Sequence, residues 1–324
     1  MPKAKRPGEF ALIDRYFRPL ATDPGAFGLV DDAALYRQRP DDDLVLTTDT
    51  VAAGVHFFVD DPPESIAKKA LRVNLSDLAA KGAEPFGYLL SLALPANWTS
   101  AWLKRFASGL AVDQKTYGVS LLGGDTTRAA GGLSIAITAL GRVPKGRMVL
   151  RSGAKPGDLI FVTGTIGDGA LGLRMHGKKG RGATRLRDRY LHPQPRMALA
   201  PVLRAHASAA MDVSDGLVGD LGHICDASKV GAEIGAHEVP LSPAAAAMLL
   251  AEPKLLPVIL NGGDDYEILA TVRASSAVLF ARDAEAAGVS VTRIGAVTAG
   301  EGPPVVRDSG GKVIRLATGS HTHF

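Results

Sequence analysis

The sequence predicts two mixed α/β (α+β) domains, and three observations lead there. The chain has 324 residues, more than one ordinary core accommodates and a fair length for two. Apolar strand-like runs and helix-like segments mix in both halves, without the strict strand–helix–strand alternation of a purely parallel sheet. Between the halves, Gly141 to Gly157 is rich in glycine, proline and arginine, which places a boundary near Val149 and gives domains 1–148 and 149–324.

Composition narrows the class. Apolar residues make up 46% and charged residues 22%, the balance of a soluble globular protein. No run approaches the roughly 18 apolar residues of a membrane span, and Met1 to Gly8 is not followed by a signal-type apolar segment. The single cysteine, Cys225, excludes an internal disulfide framework and a cysteine zinc cluster, so a cytoplasmic protein is expected. The net charge of +4 is modest, and basic residues concentrate only between Arg174 and Arg189. That run, with Lys178, Lys179, Arg181, Arg185 and Arg187, is broken by three glycines and reads as a solvated mobile arm, not a nucleic-acid groove.

Taken in order, Glu9 to Leu20 reads as an amphipathic helix with Phe10, Ile13 and Phe17 on one face. A loop, Thr22 to Gly28, leads to Val30-Asp31-Asp32-Ala33-Ala34-Leu35. A strand, Leu44-Val45-Leu46, is expected to end in Thr47-Thr48-Asp49-Thr50, before Gly54-Val55-His56-Phe57. Pro62-Pro63 opens a helix running to about Lys81, with Leu71, Leu75 and Leu78 as its core stripe and Asn74 and Asp77 on a neighbouring face. Phe86 to Leu94 reads as a strand, Thr99 to Tyr117 as a helix capped by Gly118, and Leu133 to Leu140 as a strand. The second half opens on a buried-type strand, Asp158 to Thr163, and returns to strand at Ala209 to Asp212 and up to Val272. Helices are expected over Ser242–Ala251 and Ser275–Ala287, and a hairpin at Gly310-Gly311.

The chemistry lies in acidic residues at the edges of apolar runs. In Leu121-Leu122-Gly123-Gly124-Asp125-Thr126-Thr127-Arg128 an apolar run meets two glycines, a carboxylate, two hydroxyls and a guanidinium. Asp32, Asp49 and Asp212 repeat the placement, with Asp31, Asp77 and Asp215 close by. Each has a structural alternative: a Gly-Gly turn at Gly123-Gly124, a turn at Asp31 or Asp32, an ion pair of Asp77 with Lys81, a helix cap at Ser214 or Asp215. Together they are harder to explain so, because carboxylates beside apolar strand ends are costly unless a cation compensates them. Oxygen-only donors with hydroxyl neighbours suit Mg²⁺, and several such ions imply phosphate ligands. Two nucleotide-loop patterns fail. Gly172 to Lys179 lacks the final Ser or Thr of a P-loop. The Gly167, Gly169, Gly172 pattern carries Asp168 inside it and has no acidic partner at the required spacing.

Read as a set, eight segments resemble the thiamine-monophosphate kinase family, of the aminoimidazole-ribonucleotide-synthetase-like ATP-binding superfamily. They are Val30-Asp-Asp-Ala-Ala-Leu, Thr47-Thr-Asp-Thr, Gly54-Val-His-Phe, Val73-Asn-Leu-Ser-Asp-Leu-Ala-Ala-Lys-Gly-Ala, Gly123-Gly-Asp-Thr-Thr-Arg, Arg151-Ser-Gly-Ala-Lys-Pro-Gly-Asp, Met211-Asp-Val-Ser-Asp-Gly-Leu and Gly262-Gly-Asp-Asp-Tyr-Glu. The resemblance implies a homodimer whose N-terminal α/β domain binds ATP, joined to a C-terminal α/β domain. It implies transfer of the γ-phosphoryl group of ATP to thiamine phosphate, with several Mg²⁺ ions. By resemblance, Asp32, Thr47, Thr48, Asp49, Asp77, Asp125, Asp212 and Asp215 match magnesium ligands, and Gly124, Asp125, Arg151 and Ser214 match nucleotide contacts. Asp125, Asp212 and Arg151 carry the catalytic charge, and His56, Asp264 and the tail residue Phe324 match the thiamine-phosphate side. Three positions depart from the pattern: Val30 replaces a glycine, Asp264 a glutamate and His321 an aromatic residue. Selenophosphate synthetase and the hydrogenase-maturation relative are disfavoured, since each needs a terminal reactive cysteine that this sequence does not show.

Overall fold

The structure is a computed structural model that describes residues 8–180 and 182–316. The chain divides into two compact units, Met1–Leu78 with Glu84–Gly146, and Ala79–Ala83 with Arg147–Phe324.

The first unit opens with α1 (Glu9–Leu12), which continues as a π-helical turn over Ile13–Phe17 and a 3₁₀ turn over Arg18–Leu20. The buried side chains are Leu12, Tyr16, Phe17 and Leu20, while Phe10 is 84% exposed. The expected Phe10–Ile13–Phe17 stripe is thereby corrected. The wider π turn departs from the 3.6-residue period, and the buried row follows i, i+4, i+8 from Leu12. Then come β1 (Asp42–Ala52), α2 (Pro63–Ala80), β2 (Glu84–Leu94), α3 (Ser100–Tyr117), β3 (Ser120–Arg128) and β4 (Ser134–Pro144). The strands form a four-stranded sheet in the order β1-β4-β2-β3, antiparallel except for the parallel β2–β3 pair.

One face of this sheet is dry. Along β4, Ile135, Ile137, Ala139 and Val143 are buried and their alternate neighbours are not, the period-2 signature of a sheet covered on one side. Helices α2 and α3 are tied to each other by Arg72, which grips the buried Asp113 carboxylate through Nε and Nη2 at 2.7 Å each. Thr99 caps α3 by accepting the Trp102 N–H, and Gly118 ends it in the left-handed conformation.

The second unit is a three-layer α/β/α arrangement. Its elements are β5 (Leu159–Thr163), α4 (Asp168–Arg174), α5 (Ala183–Leu191), α6 (Ala200–His206), β6 (Ala207–Asp212), α7 (Leu217–Ser228), β7 (Gly231–Gly235), α8 (Pro243–Ala251), α9 (Leu256–Asn261), β8 (Ile268–Val272), α10 (Ala277–Ala286), β9 (Val291–Thr298) and β10 (Val305–Arg307). The six-stranded sheet runs β10-β7-β9-β5-β8-β6, and only the β10–β7 pair is parallel. Alternate side chains of β5, β6 and β8 enter two different cores. Ile160, Val162, Met211 and Leu269 pack with Leu217, Leu221 and Ile259, whereas Phe161, Ala210, Ile268 and Val272 pack with Leu203 and Phe280. That burial on both faces explains why these strands read as unbroken apolar runs.

The expected mobile arm from Arg174 to Arg189 is corrected in part. Residues from Ala183 onward form α5, and Arg189 is buried, its Nη2 donating to Glu267 Oε1 at 2.8 Å. Arg181 lies outside the described residues. Strands β7, β9 and β10 carry no expectation from the sequence: they are short or interrupted by glycine, which weakens the period-2 signal.

Candidate active site

In the first unit, β1 and α2 join two of the candidate ligands by their side chains and hold a third, Asp49, by its backbone. Thr47 Oγ1 donates to Asp77 Oδ2 at 2.5 Å. Two residues along the strand, the Asp49 N–H donates to Asn74 Oδ1 at 3.0 Å, one helical turn before Asp77. Asn74 is fully buried, and its amide nitrogen donates to Ala70 O at 3.0 Å, which fixes which atom faces the strand. Thr47, Asp49, Asn74 and Asp77 therefore meet where one face of β1 packs on α2.

Thr48 does not join them. The segment Thr47 to Thr50 lies inside β1, not at its end as expected, and successive side chains of a strand point to opposite faces. Thr48 Oγ1 donates to Ile137 O at 3.2 Å and accepts from Thr138 Oγ1 at 3.1 Å.

Asp125 is likewise within a strand. The Gly-Gly turn is corrected: Gly123 and Gly124 lie in the middle of β3, just past a register shift that leaves Leu122 as the extra residue opposite β2. Gly124 has φ +153°, and a Cβ there would sit 1.9 Å from Leu90 O. The residue is glycine because the neighbouring strand's backbone occupies the space a side chain would take. Asp125, Asp31 and Asp32 line one cleft of about 220 Å³, closed on its apolar side by Ile13, Phe17 and Leu90. Within that cleft the Asp32 N–H donates to Asp31 Oδ1 at 2.8 Å, so Asp31 makes the turn and Asp32 is presented by it. The exposed Phe10 stands on the rim.

His56 follows β1 in a tight loop. Its Nδ1 accepts the Ala52 N–H at 3.1 Å, which assigns the proton of the neutral ring to Nε2. Beyond this loop an apolar cavity of about 400 Å³, lined by Phe57, Trp98 and Trp102 among others, carries no carboxylate.

In the second unit three loops emerge at one end of the sheet, after β5, after β6 and before β8. The pairings Val162–Leu269 and Asp212–Ile268 place those ends side by side. Asp212 closes β6 and is buried. The turn after it is held by a residue not selected from the sequence. Asp220, on the first turn of α7, is fully buried, and its Oδ2 accepts the N–H groups of Ser214 (3.0 Å), Asp215 (3.1 Å) and Gly216 (3.1 Å). The residue preceding α7 is Gly216, with no side-chain cap, so neither Ser214 nor Asp215 plays the capping role that was the alternative for them. Asp220 reaches back and does it, leaving the Ser214 and Asp215 side chains for other work. Burial, and then the charge of Asp215, push the Asp220 carboxyl up to about 7 against those three donors.

Asp264 sits in the turn before β8, and its N–H donates to Ser214 O at 2.9 Å. The next residue, Asp265, was also missed. It is buried and accepts the N–H groups of Gly167 at 2.6 Å and Gly169 at 2.9 Å; burial pushes its carboxyl up to about 8, opposed by those two donors. Asp168, in the rejected glycine-loop pattern, is a buried structural carboxylate bonded by Thr165 Oγ1 (2.8 Å) and Ser242 Oγ (2.5 Å). Arg151 is exposed, on a turn pinned by Ser228 Oγ, which accepts from Gly153 (3.1 Å) and Ala154 (3.2 Å). Phe324 and His321 lie outside the described residues. A sequence signal did exist for the missed pair: Asp220 sits in a helix's first turn, where an acid is favoured, and Asp265 directly follows a candidate ligand in a glycine-rich turn.

Among the described residues no three Asp, Glu, His or Cys side chains gather as a ready-made metal cage. The donors that do meet, the Thr47 hydroxyl with the Asp77 carboxylate and Asp31, Asp32 and Asp125 around one cleft, are all oxygen. That set fits Mg²⁺, which keeps much of its water and takes one or two carboxylates along with substrate phosphates.

The model of AIR synthase related protein, N-terminal domain, matches residues 30–143, and that of the C-terminal domain matches residues 155–307. The thiamine-monophosphate kinase of Caulobacter vibrioides is 46% identical over 306 residues, covering 93% of this chain and 87% of the relative. The chain belongs to the thiamine-monophosphate kinase family. A solved thiamine-monophosphate kinase from Stenotrophomonas maltophilia superposes with a TM-score of 0.82 at 42% identity, over 94% of this chain and 97% of that one. The structure of AaThiL complexed with AMPPCP and TMP gives a TM-score of 0.77 at 31% identity, over 90% and 94% of the two chains. The architecture expected for the family, two mixed α/β domains of the aminoimidazole-ribonucleotide-synthetase type, is the one observed.

Proposed function

We propose that this protein phosphorylates thiamine phosphate: ATP and thiamine phosphate give ADP and thiamine diphosphate. The observation that carries the reading is the match to a thiamine-monophosphate kinase along 93% of the chain, at 46% identity. The acceptor is itself a phosphate with a second pKa near 6, largely dianionic at neutral pH, so its oxygen attacks without a general base. The difficulty is the approach of two polyanions. Mg²⁺ bound to the phosphates supplies charge neutralisation and alignment for a direct in-line transfer.

The chain's own residues then divide the work. Thr47, Asp49 and Asp77, with Asp32 and Asp125, are the oxygen donors of residues 1–148, and Asp212 and Asp215 those of residues 149–324; Thr48, on the opposite face of β1, is left out of the set. Gly124 and Ser214 contact the nucleotide, and Arg151 adds a fixed positive charge to the phosphates. His56 orients the acceptor by its Nε2–H, joined by Asp264 and Phe324. Asp264, one methylene shorter than glutamate, reaches less far from its turn.

The same reading includes a homodimer built on the first unit and a cytoplasmic location. Leu46 (59% exposed), Leu44 and Leu89 stand on the face of the four-stranded sheet away from the core, which supports a sheet face covered by a second copy. No helix among the described residues is long and apolar enough to cross a membrane. Steady ADP release that depends on thiamine phosphate, and not on thiamine, tests the activity. Sedimentation equilibrium tests the dimer.

A further inference from the structure

The turn from Gly262 to Glu267 contains two strained residues with a buried carboxylate between them. Asp264 has φ +71° and Tyr266 φ +51°, the left-handed region that L side chains avoid. Such conformations persist only where the surroundings over-determine them. Here the turn is fastened on two sides. The Asp265 side chain holds the N–H groups of Gly167 (2.6 Å) and Gly169 (2.9 Å) in the loop after β5, and Arg189 Nη2 donates to the Asp265 carbonyl at 3.1 Å. On the other side the main chain crosses to the loop after β6: the Asp264 N–H donates to Ser214 O at 2.9 Å and the Tyr266 N–H to Val213 O at 2.8 Å. Packing leaves no slack. A Cβ on Gly169 would lie 2.3 Å from Asp264 O, and one on Gly263 would lie 2.1 Å from Ser214 O.

We propose that Asp265 is a positioning residue for the acceptor: by clamping the two glycine N–H groups it holds Asp264 in its left-handed conformation at a fixed offset from Ser214. This rests on the assignment of Asp264 to the thiamine-phosphate side and of Ser214 to the nucleotide side. Asp265 touches neither substrate. It sets where the carboxylate of its neighbour stands, and it does so by anchoring their turn to the loop after β5, which carries no candidate ligand of its own. The Ser214 turn has an independent anchor in Asp220, so loosening Asp265 releases the acceptor side alone.

The test is Asp265→Asn, nearly the same shape, in which an amide N–H faces one of the two glycine donors. Wild-type turnover of thiamine phosphate first tests the underlying assignment, and the variant-to-wild-type ratios then test the clamp. The KM for thiamine phosphate is expected to rise at least tenfold, with the KM for ATP and the affinity for a non-hydrolysable ATP analogue within about threefold of wild type. Adding Tyr266→Gly to Asp265→Asn is expected to recover most of the loss, because glycine takes the left-handed conformation without the clamp. In the otherwise unaltered chain, Tyr266→Val adds strain at the same point and is expected to raise the KM for thiamine phosphate in the same direction, a readout available even where Asp265→Asn does not fold. An unchanged KM in Asp265→Asn, a loss that the glycine does not reverse, or no response to Tyr266→Val overturns the proposal.

Discussion

Thr47 Oγ1 on β1 donates to Asp77 Oδ2 on α2 at 2.5 Å, and this bond joins two candidate ligands that lie 30 residues apart in the chain. It sits one helical turn from the buried Asn74, which holds the Asp49 backbone. The strand–helix contact is thus a prepared set of oxygen donors, with the hydroxyl proton already directed at the carboxylate.

Thr47→Val keeps the shape of the side chain and removes the hydroxyl. We expect a stability change of about 1 kcal/mol, the usual size for one hydrogen bond. The Mg²⁺ concentration at half-maximal rate should rise about tenfold or more, the effect of a lost metal contact costing about 1–2 kcal/mol. Mg²⁺ titrations of ADP release for the two proteins decide it, and parallel curves would remove Thr47 from the donor set.

Asp125→Asn and Asp212→Asn should each cut turnover by about 10²–10³ or more, since each would remove a magnesium ligand and with it positive charge that offsets the transferring phosphoryl group. Circular dichroism melts beside steady-state rates separate lost chemistry from lost fold.

Gly124→Ala should destabilise the first unit by about 1–3 kcal/mol or more, because the added Cβ would lie 1.9 Å from Leu90 O and must push β3 off β2. Gly123→Ala is the control. Its Cβ meets only Leu89 Cδ2 at 3.5 Å, an ordinary contact, and should cost little. Urea midpoints of the two variants give the comparison.

Asp265 makes stability depend on pH with a definite sign. Its carboxyl rises from 3.8 to about 8 on folding, so the folded protein holds this proton more tightly than the unfolded chain. The contribution is fully present below about pH 4 and is lost as pH climbs toward 8. Denaturation at pH 5, 6, 7 and 8 should show wild type losing ground relative to Asp265→Asn as pH rises. A constant difference would mean that Asp265 does not titrate in this window.

Much of the architecture was legible because it rests on local rules. Helix α3 shows its Thr99 cap and Gly118 stop in the sequence, and α2 its proline start and leucine stripe. The acidic residues were legible as a set, by resemblance and by their place beside apolar runs. What was not legible depends on pairing across the chain. Gly123-Gly124 looks like a turn in isolation. Only the approach of Leu90 from β2 shows that it is a strand with no room for side chains. Thr47, Thr48 and Asp49 are neighbours in sequence and were expected to act together, but strand alternation sends Thr48 to the other face. Arg189 belongs to a run of scattered basic residues until Glu267, 78 positions away, is folded against it. Asp220 and Asp265 carry only weak local signals, a helix's first turn and a glycine-rich turn, because their partners are backbone N–H groups, which every residue but proline has.

The most direct measurement is a coupled ADP-release assay on the intact protein with ATP and Mg²⁺, comparing thiamine phosphate with thiamine. The account predicts sustained, Mg²⁺-dependent ADP release with thiamine phosphate, formation of thiamine diphosphate in equal amount, and background with thiamine. Equal rates with both acceptors, or no ADP above background with thiamine phosphate, would contradict it.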